Sequence, residues 1–175
     1  LEAVLDAGDR LGLSIYVGLG FFTTPIMGPH STYGDKSGLR DKIAEELSAR
    51  YGHHASFVGW YFPSEAAIIR YFEDEYIAYA NELANVCRKF GPQKVLIAPY
   101  GTRSVVNDRR FVDQIRSLEV DYIAYQDEIG VNRTTFEAAD ETFARLREVH
   151  DQAGKPLWAD VEIFKFAGKV LHPAP

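Results

Sequence analysis

Two glutamates have the surroundings that acid–base chemistry needs. Glu65 closes the run Phe57-Val58-Gly59-Trp60-Tyr61-Phe62-Pro63-Ser64, and Glu162 closes Lys155-Pro156-Leu157-Trp158-Ala159-Asp160-Val161. Each follows a short stretch of aromatic and branched residues, which places it where a β-strand gives way to a loop. Two carboxyl groups flanking one bond can cleave a glycoside. One protonates the leaving oxygen while the other attacks the anomeric carbon or activates water. Each acid also has an ordinary explanation. Glu65 can be a first-turn anion of a helix capped by Ser64. Glu162 can pair with Lys165 across solvent, an arrangement that contributes under about 1 kcal/mol.

Polar and aromatic residues gather at the same strand ends. Asp160 precedes Glu162 by two positions, so on a strand it shares a face with Glu162 and Trp158. It can orient or replace Glu162, or serve as a structural acid paired with a cation. Gln126 and Asp127 end a third β-type run, followed by Glu128; they can bond sugar hydroxyls or form an Asx-type turn before Gly130. Phe21, Phe22, Trp60, Tyr61, Phe62, Tyr100, Tyr125 and Trp158 supply apolar faces on which the C–H side of a sugar ring can stack. Strand aromatics such as Phe57, Trp60 and Trp158 also serve as core. Tyr61 and Tyr100 are the better ligand contacts, because a phenol is both an apolar wall and a polar handle. The expected substrate-binding residues are therefore Tyr61, Tyr100, Gln126, Asp127, Trp158 and Asp160.

Other chemistries find less support. His53 and His54 are adjacent on a short link and expected to point apart, while His150 in a helix and His172 in a tail are expected in solvent. His30 stands in a long loop. Cys87 has no partner cysteine, and no G-x-S-x-G elbow occurs, so neither a metal, a cofactor nor a nucleophilic serine is expected. The 25 acidic residues exceed the 19 basic ones, a net charge of -6 that argues against a nucleic-acid partner. No apolar run reaches the roughly 20 residues needed to span a bilayer. Glu73-Asp74-Glu75 reads as a solvated helix face.

The elements that must hold these residues alternate. Strands are expected at Ser14 to Leu19, Phe57 to Tyr61, Val95 to Ala98, Tyr122 to Tyr125 and Leu157 to Val161. Helices are expected at Lys36 to Tyr51, Ser64 to Phe90, Asp108 to Leu118 and Thr134 to Ala153. Such a βα rhythm, with continuous apolar runs at Val95–Ala98 and Tyr122–Tyr125, predicts an α/β fold with a parallel sheet covered on both faces. Helix-to-strand links are short, whereas the strand-to-helix links Gly20–Asp35, Pro99–Asn107 and Gln126–Arg133 are longer and carry the reactive residues. That asymmetry fits a (β/α)8 TIM barrel, whose chemistry lies at the carboxyl ends of its strands. No G-x-G-x-x-G follows a strand, so a dinucleotide-binding sheet is disfavoured. A full barrel takes about 250 residues, and the 175 present predict one domain over residues 1–175 that is an incomplete barrel. Leu1, Val4, Leu5 and Leu11 already keep helical spacing, so the chain is expected to start inside a helix of a longer protein.

The residues quoted carry a family resemblance. Phe57 to Glu65 resembles the fourth-strand motif of clan A glycoside hydrolases, which ends in an acid/base glutamate, and Lys155 to Glu162 resembles their seventh strand, which ends in the nucleophile. The five visible strands would then be the third to the seventh. A closer likeness covers nearly the whole chain. Gly59-Trp60-Tyr61 with Pro63 and Glu65, Ala98-Pro99-Tyr100, Tyr125-Gln126-Asp127 with Gly130, and Leu157 through Glu162 are similar to a glycoside-hydrolase-like barrel family called domain of unknown function 4434. The resemblance implies hydrolysis of O-glycosidic bonds in a polysaccharide or glycan, with Glu65 as acid/base, Glu162 as nucleophile and retention of configuration. It also implies a secreted or periplasmic location. Ser64 stands where clan A enzymes usually carry an asparagine. A carbohydrate-binding barrel without catalysis is the alternative, and a metal-dependent hydrolase on the same fold is disfavoured by the histidine placement.

Overall fold

The β-type runs become strands within a residue or two of expectation. A computed structural model of the chain describes residues 1–19, 38–168 and 170–174. The elements are α1 (Glu2–Leu11), β1 (Ile15–Gly18), α2 (Leu39–Tyr51), β2 (Phe57–Phe62), α3 (Asp74–Arg88), β3 (Lys94–Ile97), α4 (Arg109–Ser117), β4 (Tyr122–Gln126), α5 (Phe136–Ala153) and β5 (Leu157–Asp160). A hairpin of β6 (Phe164–Ala167) and β7 (Val170–Pro173) follows. Strands β1 to β5 form one sheet in sequence order, as the alternating α/β pattern requires. The Gly20–Asp35 loop with Phe21, Phe22, His30 and Tyr33, and the first residues expected in helix Lys36–Tyr51, lie outside the described residues.

The chain forms two compact units, Leu1–Ser64 with Ala78–Ile97 and Glu119–Asp121, and Glu65–Ile77 with Ala98–Leu118 and Tyr122–Pro175. In the first, β1 pairs with β2 and β2 with β3, all parallel. Tyr16 sits opposite Gly59, and a Cβ on Gly59 would come within 2.3 Å of the Tyr16 ring, so the glycine makes room for the phenol. Phe57 and Trp60 pack edge to face at 4.8 Å with Trp60 fully buried, as core aromatics. Cys87 is buried as well, and burial pushes its thiol up to about 12, which leaves it unreactive. His53 and His54 do not diverge. They occupy a turn rather than an extended segment, and their rings approach to 4.3 Å between centroids.

In the second unit β4 and β5 are parallel, with Ala124 opposite Trp158 and Gln126 opposite Asp160. Two helix starts follow their sequence signals: Asp108 accepts from the Phe111 N–H at 3.0 Å and Thr135 from the Ala138 N–H at 3.3 Å, while Gly154 at φ +70° ends α5. The helix expected from Ser64 does not form until Asp74. Instead, Tyr100 N–H donates to the Ala66 carbonyl and Ile68 N–H to the Tyr100 carbonyl, at 2.9 and 2.8 Å. Those bonds hold the backbone extended against its helical periodicity. Gln114, buried on α4, clamps the same segment from the other end, with Phe72 N–H donating to its Oε1 and its Nε2 donating to the Phe72 carbonyl.

His150 corrects a second expectation, since it is buried rather than solvated. On α5 it falls on the face turned to the sheet, where its Nε2 lies 2.9 Å from the Tyr125 hydroxyl and its Nδ1 lies 3.2 Å from the Lys155 carbonyl. The carbonyl can only accept, so Nδ1 carries the proton and Nε2 receives the phenol's hydrogen bond. Burial is the main cause that lowers the His150 pKa below its ordinary 6.5. The unfolded chain therefore takes up this proton first as the pH falls, and stability declines from about pH 6.5 downward through the folded value. His54 works in the opposite direction, its pKa raised chiefly by the hydrogen bond to Asp9, so it adds stability below 6.5 that is lost as pH rises. His150→Gln removes the first contribution alone. Melting temperatures between pH 5 and 8 should show the variant losing less stability on acidification than the parent.

Candidate functional site

The carboxyl ends of β4 and β5 bring acids together. Alternation along the strands sets which side chains share a face. Tyr125 points to His150 on α5, so Tyr122, Ala124 and Gln126 occupy the opposite face, and with them their partners Trp158 and Asp160. Trp158 lies almost flat on Tyr122, with ring centroids 4.2 Å apart and a 21° tilt, yet remains 38% exposed. Gln126 is half-buried and its Nε2 donates to the Ala98 carbonyl at 3.3 Å.

The loop after β4 is built on carboxylates. Asp127 is buried; its N–H donates to the Asp160 carbonyl at 3.1 Å and its Oδ1 accepts from the Ile129 N–H at 3.1 Å, closing the Asx-type turn. Glu162, just beyond β5, is half-buried and its Oε2 accepts from the Val131 N–H at 2.9 Å. Gly130 lies beneath it: a Cβ there would stand 2.1 Å from the Phe164 carbonyl and 2.9 Å from the Glu162 Oε2. Burial, reinforced by the Asp127 charge, raises the Asp160 pKa. Burial also raises that of Glu162; the Val131 N–H works against this, and the charges of Asp127 and Glu128 add to it. Asp127, Asp160 and Glu162 thus gather at adjacent strand ends, and Asp160 and Glu162 hold their protons more tightly than free carboxyls do.

Glu65 lies on a different segment, directly after β2. It is exposed and begins the extended segment that Tyr100 secures. It is not the first-turn anion of a helix, because that place at α3 belongs to Asp74 and Glu75. Ser64 caps no helix either; its Oγ accepts from the Tyr79 hydroxyl at 3.2 Å. Tyr100 is half-buried, with the Arg133 guanidinium 5.7 Å from its ring centroid. Tyr61, half-buried at the end of β2, belongs to the first unit.

Glu128 is a residue the sequence did not single out. It is 3% exposed, sits at φ +54°, and its Oε2 accepts from the N–H groups of Gly101 and Thr102 at 2.9 and 3.2 Å. Arg133 Nη1 approaches its Oε1 at 3.4 Å. One buried carboxylate thus joins the loop after β3, which carries Tyr100, to the loop after β4, which carries Asp127. Only its place next to Gln126-Asp127 hinted at this. Glu128→Ala strands two backbone donors, one of them on buried Thr102, and should cost roughly 2–4 kcal/mol in denaturant unfolding. Glu128→Gln keeps an accepting oxygen and should cost about half as much.

These elements make an α/β fold, a five-stranded parallel sheet alternating with helices that matches part of a (β/α)8 barrel. A solved structure that it resembles is that of a putative alpha-L-fucosidase from Bacteroides thetaiotaomicron, with a TM-score of 0.60 and 20% sequence identity. The likeness covers 76% of this chain and 46% of that one, so this chain spans less than half of that protein's length. The chain belongs to the family described as Domain of unknown function (DUF4434), which matches residues 1–175. No curated protein matches the sequence. Among the described residues no helix is long and apolar enough to cross a membrane.

Proposed function

We propose that this chain is the catalytic portion of a glycoside hydrolase that cleaves a glycan by a two-carboxylate mechanism, with Glu65 as acid/base and Glu162 as nucleophile. The observation that carries this reading is the acid cluster at the ends of β4 and β5, where Asp160 and Glu162 both hold protons more tightly than free carboxyls. It stands beside an exposed Trp158 on a glycosidase-like fold. Trp158, Tyr100 and Tyr61 would stack on sugar rings, with Asp160, Gln126 and Asp127 bonding hydroxyls. No metal or cofactor takes part in this scheme. Export to the periplasm or exterior belongs to the same reading, since the family's resemblance to polysaccharide-degrading enzymes carries it.

The test is turnover of aryl glycosides and oligosaccharides, with α-L-fucosides among the first because of the structural relative. Turnover abolished by changing either glutamate supports the reading. Saturable sugar binding with no turnover would replace it by a carbohydrate-binding barrel, and turnover that survives both changes would remove the pair from the mechanism. Carboxyls about 5–5.5 Å apart in the sugar-bound enzyme would accompany retention, and about 6.5–9.5 Å inversion.

A further inference from the structure

The first unit holds a second cluster of chemically capable groups, far in sequence from the acids of β4 and β5. Glu2 and Asp9 stand seven residues apart on α1, two turns along one helix face. The turn between α2 and β2 brings His53 and His54 against that face. One nitrogen from each histidine and one carboxylate oxygen of Glu2 lie within 4.8 Å of one another.

The state of His54 points to a ligand. The residue is only 6% exposed, and its Nδ1 lies 2.7 Å from Asp9 Oδ2. Asp9 is itself fixed, since its Oδ1 accepts from the Ser56 N–H at 2.7 Å. A carboxylate in that position fixes the ring through Nδ1 and aims Nε2 at Glu2. That Nε2 is buried with no hydrogen-bond partner, and it faces the Glu2 carboxylate at 3.7 Å. A buried polar nitrogen left without a partner is costly. A carboxylate–histidine pair of this kind is the usual support of a metal-binding imidazole.

We propose that Glu2, His53 and His54 bind a divalent transition-metal cation, Zn2+ by the character of the ligands, with Asp9 orienting His54. Two imidazoles and one carboxylate suit zinc over magnesium or calcium, which prefer oxygen ligands throughout. Glu2 and His53 are exposed, so a fourth position stays open to water. The site lies before β1 and β2, at the amino ends of their strands. A cation there ties α1 to the turn that starts β2 and supports the scaffold without entering the glycan chemistry.

The experiment is zinc titration of the untagged, chelator-treated chain by calorimetry, with melting temperature measured alongside. One equivalent of Zn2+ should bind with micromolar or tighter affinity, and the melting temperature should climb with the logarithm of free zinc. His53→Ala and Glu2→Gln alter exposed side chains, so their metal-free stability should match the parent. Each should weaken zinc binding at least about tenfold, as expected from removing a ligand where even outer partners matter by about 10–100-fold. Mg2+ at the same concentration should leave the melting temperature unchanged. No saturable binding below about 100 μM zinc, a limit set by the micromolar expectation for a three-ligand site, would overturn the proposal. So would zinc binding that both variants retain, since the metal would then sit elsewhere.

Discussion

Glu162→Gln is expected to lower glycan turnover by about 10³-fold or more, and Glu65→Gln by a similar factor on substrates with a poor leaving group. The two should separate on an activated aryl glycoside. A proton donor matters little when the leaving oxygen is already acidic, so Glu65→Gln should recover much of its first-step rate there, whereas Glu162→Gln should not. The double variant should be about as slow as the slower single one, because the groups act on one bond and their effects do not add. The pH profile supplies an independent readout. A nucleophile must be ionised, and burial with the Asp127 and Glu128 charges raises the Glu162 pKa above its ordinary 4.5. The acid limb of kcat/KM should therefore fall above pH 4.5, with activity lost as the pH drops through it. Asp127→Asn removes one repelling charge and should move that limb downward, whatever it does to the absolute rate. A limb that stays in place would detach Glu162 from the nucleophile's role.

Much of the scaffold was legible because its signals are local. Apolar runs located β1 to β5, and the helices expected at Asp108 to Leu118 and Thr134 to Ala153 lie within two residues of α4 and α5 at each end. Reading failed where distant partners decide. Residues 64–73 carry helical spacing, yet Tyr100 and Gln114 bond their backbone from 32 to 42 positions away and keep them out of a helix. His150 has the same look as any polar residue in a helix, and only its fit against Tyr125 explains its burial. The alternation Phe164-Lys165-Phe166 with Gly168 at φ +65° does encode a hairpin, so β6 and β7 stand where a tail was expected. At the site, the sequence placed Asp160 and Trp158 on one strand face, and the register agrees. Trp158 is more open than a core aromatic, because β5 ends the described sheet. Glu128 escaped notice since a structural carboxylate and a reactive one look alike until their donors are known.

Gly130→Ala should couple the scaffold to the chemistry and is expected to cost roughly 2–4 kcal/mol of stability. The added methyl would meet the Phe164 carbonyl at 2.1 Å, and because that atom is backbone, relief requires moving the start of β6. The hairpin is also tied to this place by the Phe166 N–H donating to the Gly130 carbonyl at 3.1 Å, so the strain cannot be shed by a side-chain rotation. Glu162 would be displaced too, since its Oε2 and Cβ stand 2.9 and 3.0 Å from the new methyl. Two other glycines serve as references. Gly18 has open space around it among the described residues and no positive φ, so Gly18→Ala should stay within about 0.5 kcal/mol of the parent. Gly154→Ala meets nothing but keeps a left-handed backbone, and should cost about 1 kcal/mol. Denaturant unfolding of the three variants gives that order directly. If Gly130→Ala were as mild as Gly154→Ala, the close seat of β6 and Glu162 on Gly130 would be wrong. If it were destabilised as expected but kept full turnover, the fixed placement of the Glu162 carboxyl by Val131 and Gly130 would matter to folding and not to the reaction.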